Sequence, residues 1–474
     1  MAANLPNIIF ILVDDLGWRD LSGYGSTYYE TPVLDALAQQ GMIFSDAYAA
    51  APVCSPSRAS LLTGRYPARV GVTDWIDIGY GIHPARGRLI DAPYRPHLPL
   101  EEFNLARALK QAGYATWHVG KWHLGADEFT PEYQGFDVNI GGGHHGHPWK
   151  GYFSPWSLNR LEDGPPGEYL TDRLTDEAIR LLRQPRQAPF FLNLWHYAVH
   201  TPIQAKVEDM QRFEAKARRM GIDQLNAFVV GDYFPVKHKK NIRIQRRVVQ
   251  SHPGYAAMLS NLDWNTGRLL QALEVTGQAA NTLIVFTSDN GGLATSEGAP
   301  TCNAPLSEGK GWLYEGGSRV PLFFVWPSVI PAGSSCPAAF CSPDLYPTLL
   351  EMAGLPLRPE QHCDGVSFAS ALRSAQPALL RPVFWHYPHY GNQGGTPACA
   401  VRLGEYKLIE FFEDGRLELY HLVSDIQEKH NLAQAQPERR QEMHALLLEW
   451  RSQVEAKIPQ PNPDWAVDMR REQN

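Results

Sequence analysis

Apolar and polar positions along the 474-residue chain follow two alternating periods. Asn7–Val13 is an unbroken apolar run closed by Asp14-Asp15, and Thr282–Thr287 is another, closed by Ser288-Asp289-Asn290. Runs of this kind suit strands buried on both faces of a parallel sheet. Ala115–Val119 and Phe190–Leu194 read the same way. Between them the period lengthens to that of a helix. Thr31-Pro32 opens one helix, with Val33, Leu34, Leu37 and Ala38 on a common face and Gly41 as its stop; others are predicted over 101–112, 169–182 and 253–275. Alternating strands and helices predict an α/β fold, a large and mostly parallel sheet flanked by helices on both faces. After about residue 375 the pattern changes to strands over 383–387, 398–412 and 415–422 and one helix over 437–456. The expected organisation is a main domain over 1–375 and a smaller antiparallel α+β domain over 376–474.

Composition adds exclusions. Hydrophobic residues are 44% and charged residues 20%, an ordinary globular balance. A formal net charge of -7 gives no global pull toward nucleic acid. No run of about 18 apolar residues predicts a membrane span. Met1–Pro6 leads straight into the first strand without a leader pattern, so a periplasmic, secreted or lysosomal form would have had its leader removed. The cysteines are Cys54, Cys302, Cys336, Cys341, Cys363 and Cys399, with no zinc-ribbon or CxxC spacing. A Cys336–Cys341 disulfide and free thiols fit equally well. Residues 201–251 carry 11 Lys/Arg against 5 Asp/Glu, which reads either as a solvated excursion or as a basic rim that attracts an acidic substrate. Gly141–Pro148 is a His-rich loop whose imidazoles have no helical spacing, so it reads as a plain or substrate-lining loop rather than a metal site.

The chemistry centres on Cys54-Ser55-Pro56-Ser57-Arg58-Ala59-Ser60-Leu61-Leu62-Thr63-Gly64-Arg65. Ser55 and Pro56 suit a helix start, and Gly64 suits its left-handed end. Cys54 is then at a helix N-terminus with Arg58 one turn along, an arrangement suited to a tetrahedral oxyanion. Asp14-Asp15 and Asp289-Asn290 follow two strands, and sites in open α/β sheets form beyond the carboxyl ends of strands. A set of oxygen donors with three carboxylates implies a hard cation, Ca²⁺ or Mg²⁺, rather than zinc. In extended chain Lys121 and His123 face the same way. His118 shares that alternation and reads as structural, as does His196.

The Cys54–Arg65 motif closely resembles the signature of the type I sulfatases, of the alkaline-phosphatase-like superfamily. Gly120-Lys121-Trp122-His123-Leu124-Gly125, His200 before Thr201-Pro202, and Glu308–Gly317 around Lys310 resemble further segments of that family. The resemblance implies that a formylglycine-generating enzyme converts Cys54 to 3-oxoalanine (formylglycine). One hydroxyl of the hydrated aldehyde would attack sulfur and the other would later expel sulfate. Asp14, Asp15, Asp289 and Asn290 match the metal ligands, with modified Cys54 as the fifth. Arg58, Lys121 and Lys310 would offset the charge of the sulfate, His200 and Lys310 would protonate the leaving alcohol, and His123 would take the proton that drives sulfate release. The implied substrate is a sulfated carbohydrate, with aryl sulfates as model substrates. A phosphonate monoester or phosphodiester hydrolase, and a glycan-binding protein with unmodified Cys54, are the rival readings. Loops 75–97, 141–160 and 201–251 are expected to shape the pocket. His147, His386 and His389 are the expected substrate contacts, the last two within a sugar subsite formed by His386–Tyr390.

Overall fold

The computed structural model describes residues 5–76, 87–374 and 380–465. Residues 77–86 of the expected pocket loop, and the 375/376 boundary, lie outside the described residues. Eight strands form the main sheet: β1 (Asn7–Val13), β2 (Met42–Phe44), β3 (Ala115–Gly120), β4 (Val138–Ile140), β5 (Phe190–Trp195), β6 (Thr282–Ser288), β7 (Leu322–Val325) and β8 (Ser334–Cys336). Their order is β8-β2-β7-β6-β1-β5-β3-β4. Only β7 runs against its neighbours; every other pairing is parallel.

The apolar run of β1 explains why the sheet is covered on both sides. Ile9, Ile11 and Val13 point into one core with the helices Leu170–Leu182, Val207–Met220 and Pro253–Val275. Ile8, Phe10 and Leu12 point into the other, with Leu61, Leu62, Leu105, Leu109, Leu345 and Leu349. This is the period-2 alternation of a strand with no polar face.

The smaller sheet is antiparallel, β9 (Val383–Tyr387), β10 (Ala398–Leu403), β11 (Tyr406–Phe411) and β12 (Leu417–His421), in sequential order. The single strand expected over 398–412 is two strands, because Gly404-Glu405 makes a tight turn with Gly404 at φ +60°. Helix Pro437–Gln453 covers this sheet through Met443, Leu447 and Trp450. The same core takes in Tyr48, Val53, Tyr66 and Leu313 from the first three-quarters of the chain. All six cysteines are free thiols, five of them buried, so the Cys336–Cys341 pairing is not made. Cys336 pairs with β2 in the main sheet whereas Cys341 pairs beside Tyr48 in a separate two-stranded ribbon.

Candidate active site

Four adjacent parallel strands, β6, β1, β5 and β3, deliver their carboxyl ends to one place. Asp289 and Asn290 follow β6, Asp14 and Asp15 follow β1, His200 lies five residues beyond β5, and Lys121 and His123 follow β3. Asp15 has φ +62° and His123 φ +57°, a left-handed conformation that non-glycine residues adopt at a cost of about 1–3 kcal/mol. Each turns its chain sharply, so that its side chain meets the site instead of continuing along the strand.

Helix α1 (Cys54–Thr63) enters from below, every one of its residues buried. Its cap is Val53 without a side-chain bond, and Gly64 at φ +69° ends it. Ser55, expected as the cap, instead donates through Oγ to the His123 carbonyl at 2.8 Å and accepts from the Ile76 amide at 3.1 Å. Cys54 Sγ lies 3.1 Å from His123 Nδ1. His123 Nε2 lies 2.8 Å from the Ile76 carbonyl, which can only accept. Nε2 therefore carries the proton and Nδ1 offers its lone pair to Cys54. Burial pushes the Cys54 thiol up, against the pull of Lys121 and Lys310. Burial also holds His123 well below the usual imidazole range, with Lys121 adding to it, so the ring is a neutral base.

The charged groups interlock. Arg58 donates through Nε to Asp289 Oδ2 at 2.9 Å and through Nη1 to the Lys121 carbonyl at 3.0 Å. Lys121 Nζ donates to Asp14 Oδ2 at 2.6 Å. Lys310 Nζ reaches Asp15 Oδ2 and His200 Nε2, both at 2.9 Å. Lys310 is held charged: burial opposes this, but Asp15 together with Cys54, Glu297 and Asp14 outweighs it. His200 Nδ1 lies 2.8 Å from the Thr201 carbonyl, so its Nε2 is the acceptor for Lys310. Burial, then Lys310, keep His200 neutral. For Asp15, burial favours the protonated acid, but Lys310 and Lys121 and the hydrogen bond from Asn290 hold the carboxylate ionised.

Asp14 and Asn290 show what this cluster lacks in protein partners. Asp14 Oδ1 and Asn290 Oδ1 are buried acceptors with no hydrogen-bond partner. Burial pushes the Asp14 carboxyl well above its usual range, only partly offset by Lys121. Orphaned acceptors of this kind are costly unless something positive meets them. Asp14, Asp15 and His200 each bring a ligand atom within 4.8 Å of the others. The carboxylates of Asp14 and Asp15 and the free Asn290 Oδ1 are oxygen donors of the kind a hard divalent cation takes, whereas the His200 Nε2 already meets Lys310.

The family model Sulfatase matches residues 6–355, and the model for the C-terminal region of N-sulphoglucosamine sulphohydrolase matches 309–454. The chain belongs to the sulfatase family. A sulfatase of Formosa agariphila is 32% identical over 91% of this chain and 85% of its own length. N-acetylgalactosamine-6-sulfatase of Homo sapiens is 32% identical over 85% of this chain and 71% of the human protein. The crystal structure of Ps i-CgsB with k-i-k-neocarrahexaose superposes with a TM-score of 0.73 at 31% identity, covering 94% of this chain and 92% of that one. The protein is a sulfuric ester hydrolase of the alkaline-phosphatase-like fold.

Above the sulfatase site is a cavity of about 540 Å³ whose walls include Cys54, His123, His200 and Lys310. His147 lines it, its ring stacked on His200 at 6.1 Å between centroids. His386 and His389 do not line it. His386 lies 2.9 Å through Nε2 from the Lys457 carbonyl, and His389 Nε2 lies 2.9 Å from Thr73 Oγ1; both are buried within the smaller sheet and its edge. The register that puts Trp385 and Tyr387 into the interior turns His386 to the Lys457 carbonyl, and His389, two residues beyond the strand, is held by Thr73. Instead Asn392 and Gln393 reach the cavity, with Trp75, Ile76 and Glu297. A signal for the first two was present: Gly391, Gly394 and Gly395 surround them, and a Cβ on Gly395 would meet the Gly311 carbonyl oxygen at 2.0 Å. Nothing local marks Glu297, which arrives on a turn where Ser296, Glu297 and Ala299 all have positive φ. His118 and His196 are buried and off the cavity; His118 lies 3.1 Å through Nδ1 from Asn193 Nδ2.

Proposed function

We infer that this sulfatase hydrolyses sulfate esters of a carbohydrate through a hydrated formylglycine made from Cys54, with a divalent cation held by Asp14, Asp15, Asp289 and Asn290. The observation that carries the reading is the position of Cys54. Its Sγ faces a neutral imidazole acceptor at 3.1 Å in a cavity also walled by His200 and Lys310. A thiol raised by burial is a poor nucleophile, which suits a precursor better than a finished catalytic group. The aldehyde hydrate supplies two hydroxyls on one carbon, so that one can bond to sulfur and the other can release the product. A bound Ca²⁺ or Mg²⁺ supplies positive charge to the sulfate oxygens.

The chain's own residues do the rest. Arg58 and Lys121 fix the carboxylates Asp289 and Asp14 in place. Lys310 shares Nζ between Asp15 and His200, and so can pass a proton to the leaving alcohol oxygen. His123 Nδ1 is the acceptor nearest the group at position 54. The relative N-acetylgalactosamine-6-sulfatase and the neighbour crystallised with k-i-k-neocarrahexaose support the substrate class, as does a cavity of this size.

Four measurements test the reading. A peptide spanning Cys54, from a host containing the modifying enzyme, is expected to show CH₂SH replaced by CHO in its mass. Sulfate release from a sulfated sugar or aryl sulfate is expected to exceed cleavage of the matching aryl phosphodiester; the reverse preference would make the protein a phosphodiesterase. A chelator is expected to abolish turnover, and adding Ca²⁺ or Mg²⁺ to restore it. Calorimetry should show stabilisation of about 2.7 kcal/mol when the ion is present at about a hundred times its Kd. An unchanged transition on adding either ion would remove the cation from this account.

A further inference from the structure

The His-rich loop borders the catalytic cavity. His144 and His145 line it, and the same two residues line a second cavity of about 660 Å³. The far walls of that second cavity carry Asp127, Glu128, Glu132, Tyr133 and Arg160. Three carboxylates against one guanidinium give it the opposite sign from the Lys310 side. Glu132 is engaged, accepting from Asn139 Nδ2 at 2.8 Å and Arg160 Nε at 3.1 Å. Asp127 and Glu128 are exposed.

Two aromatic rings flank this space and face solvent. Tyr133 is 59% exposed on the wall itself, and Trp149 is 48% exposed. Trp149 stacks on His145 at 5.6 Å between centroids, and its Nε1 lies 3.5 Å from the carbonyl of Ser157, another wall residue. Large rings are normally buried in a core, and exposed ones beside a cavity mark contact surfaces.

We propose that the second cavity is an accessory subsite for an unsulfated pyranose unit next to the sulfated one. The proposal rests on the carbohydrate reading above. The apolar C–H face of a sugar ring matches Tyr133, since the Trp149 ring is already taken up by His145 and by Lys150 Nζ at 4.9 Å, and its hydroxyl rim matches the carboxylates of Asp127 and Glu128. A sulfate at this position would face those carboxylates with Arg160 already bound to Glu132, so a sulfated neighbour is disfavoured by like-charge repulsion. The preferred substrate is then an oligosaccharide of at least two units whose second unit is neutral or an amino sugar.

The test compares kcat/KM for an aryl sulfate, a sulfated disaccharide with a neutral second unit, and the same disaccharide sulfated on both units. Tyr133→Ala is expected to lower the ratio of neutral-neighbour disaccharide to aryl sulfate by about fivefold to tenfold, the scale of one lost aromatic contact. The double variant Asp127→Asn, Glu128→Gln is expected to raise the relative rate on the doubly sulfated disaccharide. Turnover of disaccharides with both ratios unchanged overturns the subsite and leaves the carbohydrate reading intact. Turnover of the aryl sulfate with no sulfated saccharide accepted overturns both.

Discussion

Cys54→Ala is expected to lower kcat/KM on any sulfate ester by on the order of 10⁵-fold, the scale seen when a covalent nucleophile is deleted. The fold should survive. Arg58 binds Asp289 and the Lys121 carbonyl, Lys121 binds Asp14, and Ser55 binds the chain at His123 and Ile76, all without using Cys54. Removing one sulfur atom from a buried site costs about 1 kcal/mol. An unfolding curve close to that of the parent, beside a near-total loss of turnover, is the expected pair of results. Cys54→Ser separates nucleophilic attack from product release. A serine hydroxyl has one oxygen on its carbon, so a sulfate ester formed there has no second hydroxyl to expel it. That variant is expected to gain the mass of one SO₃ group on the peptide spanning position 54 after exposure to substrate. Retained steady turnover by Cys54→Ala would mean that another group attacks sulfur.

The second large effect is on stability. Lys407 on β11 has no exposed side-chain surface and binds Glu315 at 2.9 Å and Glu428 at 3.1 Å. One ammonium cannot neutralise two buried carboxylates, so one of the pair keeps its proton. Burial pushes Glu428 up to about 8, against the pull of Lys407, while Glu315 remains ionised. Lys407→Met removes one of the two cations that meet Glu315, with Arg319 remaining at 3.3 Å and the Tyr48 hydroxyl at 2.8 Å, at an expected cost of about 1.5–3 kcal/mol. Denaturant unfolding reads this directly. Glu428→Gln keeps the neutral acceptor that meets the Glu315 amide at 2.7 Å and should cost less than about 1 kcal/mol near pH 6. The sign of the pH dependence follows. Glu428 holds its proton more tightly folded than unfolded, where its pKa is the ordinary 4.5. Its contribution to stability is therefore complete below pH 4.5 and is lost as the pH rises through about 8. The Gln variant should lack that decline. Because Glu315 follows Lys310 by five residues, Lys407→Met is also expected to lower turnover in molecules that remain folded.

What the sequence revealed depended on how local the cause was. The run Asn7–Val13 had no polar position, and both faces of β1 are indeed covered. Asp14, Asp15, Asp289 and Asn290 were legible because strand ends in a parallel sheet share one edge, and β1 and β6 are neighbours. Cys54 and Arg58 were legible from a motif one helix long. His386 and His389 misled because neither sheet register, which turns His386 away from the cavity, nor the contact of His389 with Thr73 across 316 residues is written in the local sequence. Glu297 and the Lys407–Glu315–Glu428 group depend on contacts across 92 to 113 residues or on turn geometry, and no local pattern encodes either.

Helix α1 carries one further implication. All ten of its residues are buried, and Cys54 itself is 3% exposed. An enzyme that recognises a stretch of chain around Cys54 must bind those residues extended, and the native molecule presents none of them. If Cys54 is converted as proposed, the conversion is expected on the nascent chain, in competition with the collapse that buries α1 against the main sheet. The fraction of active molecules is then set by a race between two rates rather than by any property of the finished fold. Slowing the closure of that core, for example by lowering the expression temperature, should raise the active fraction without changing a single residue.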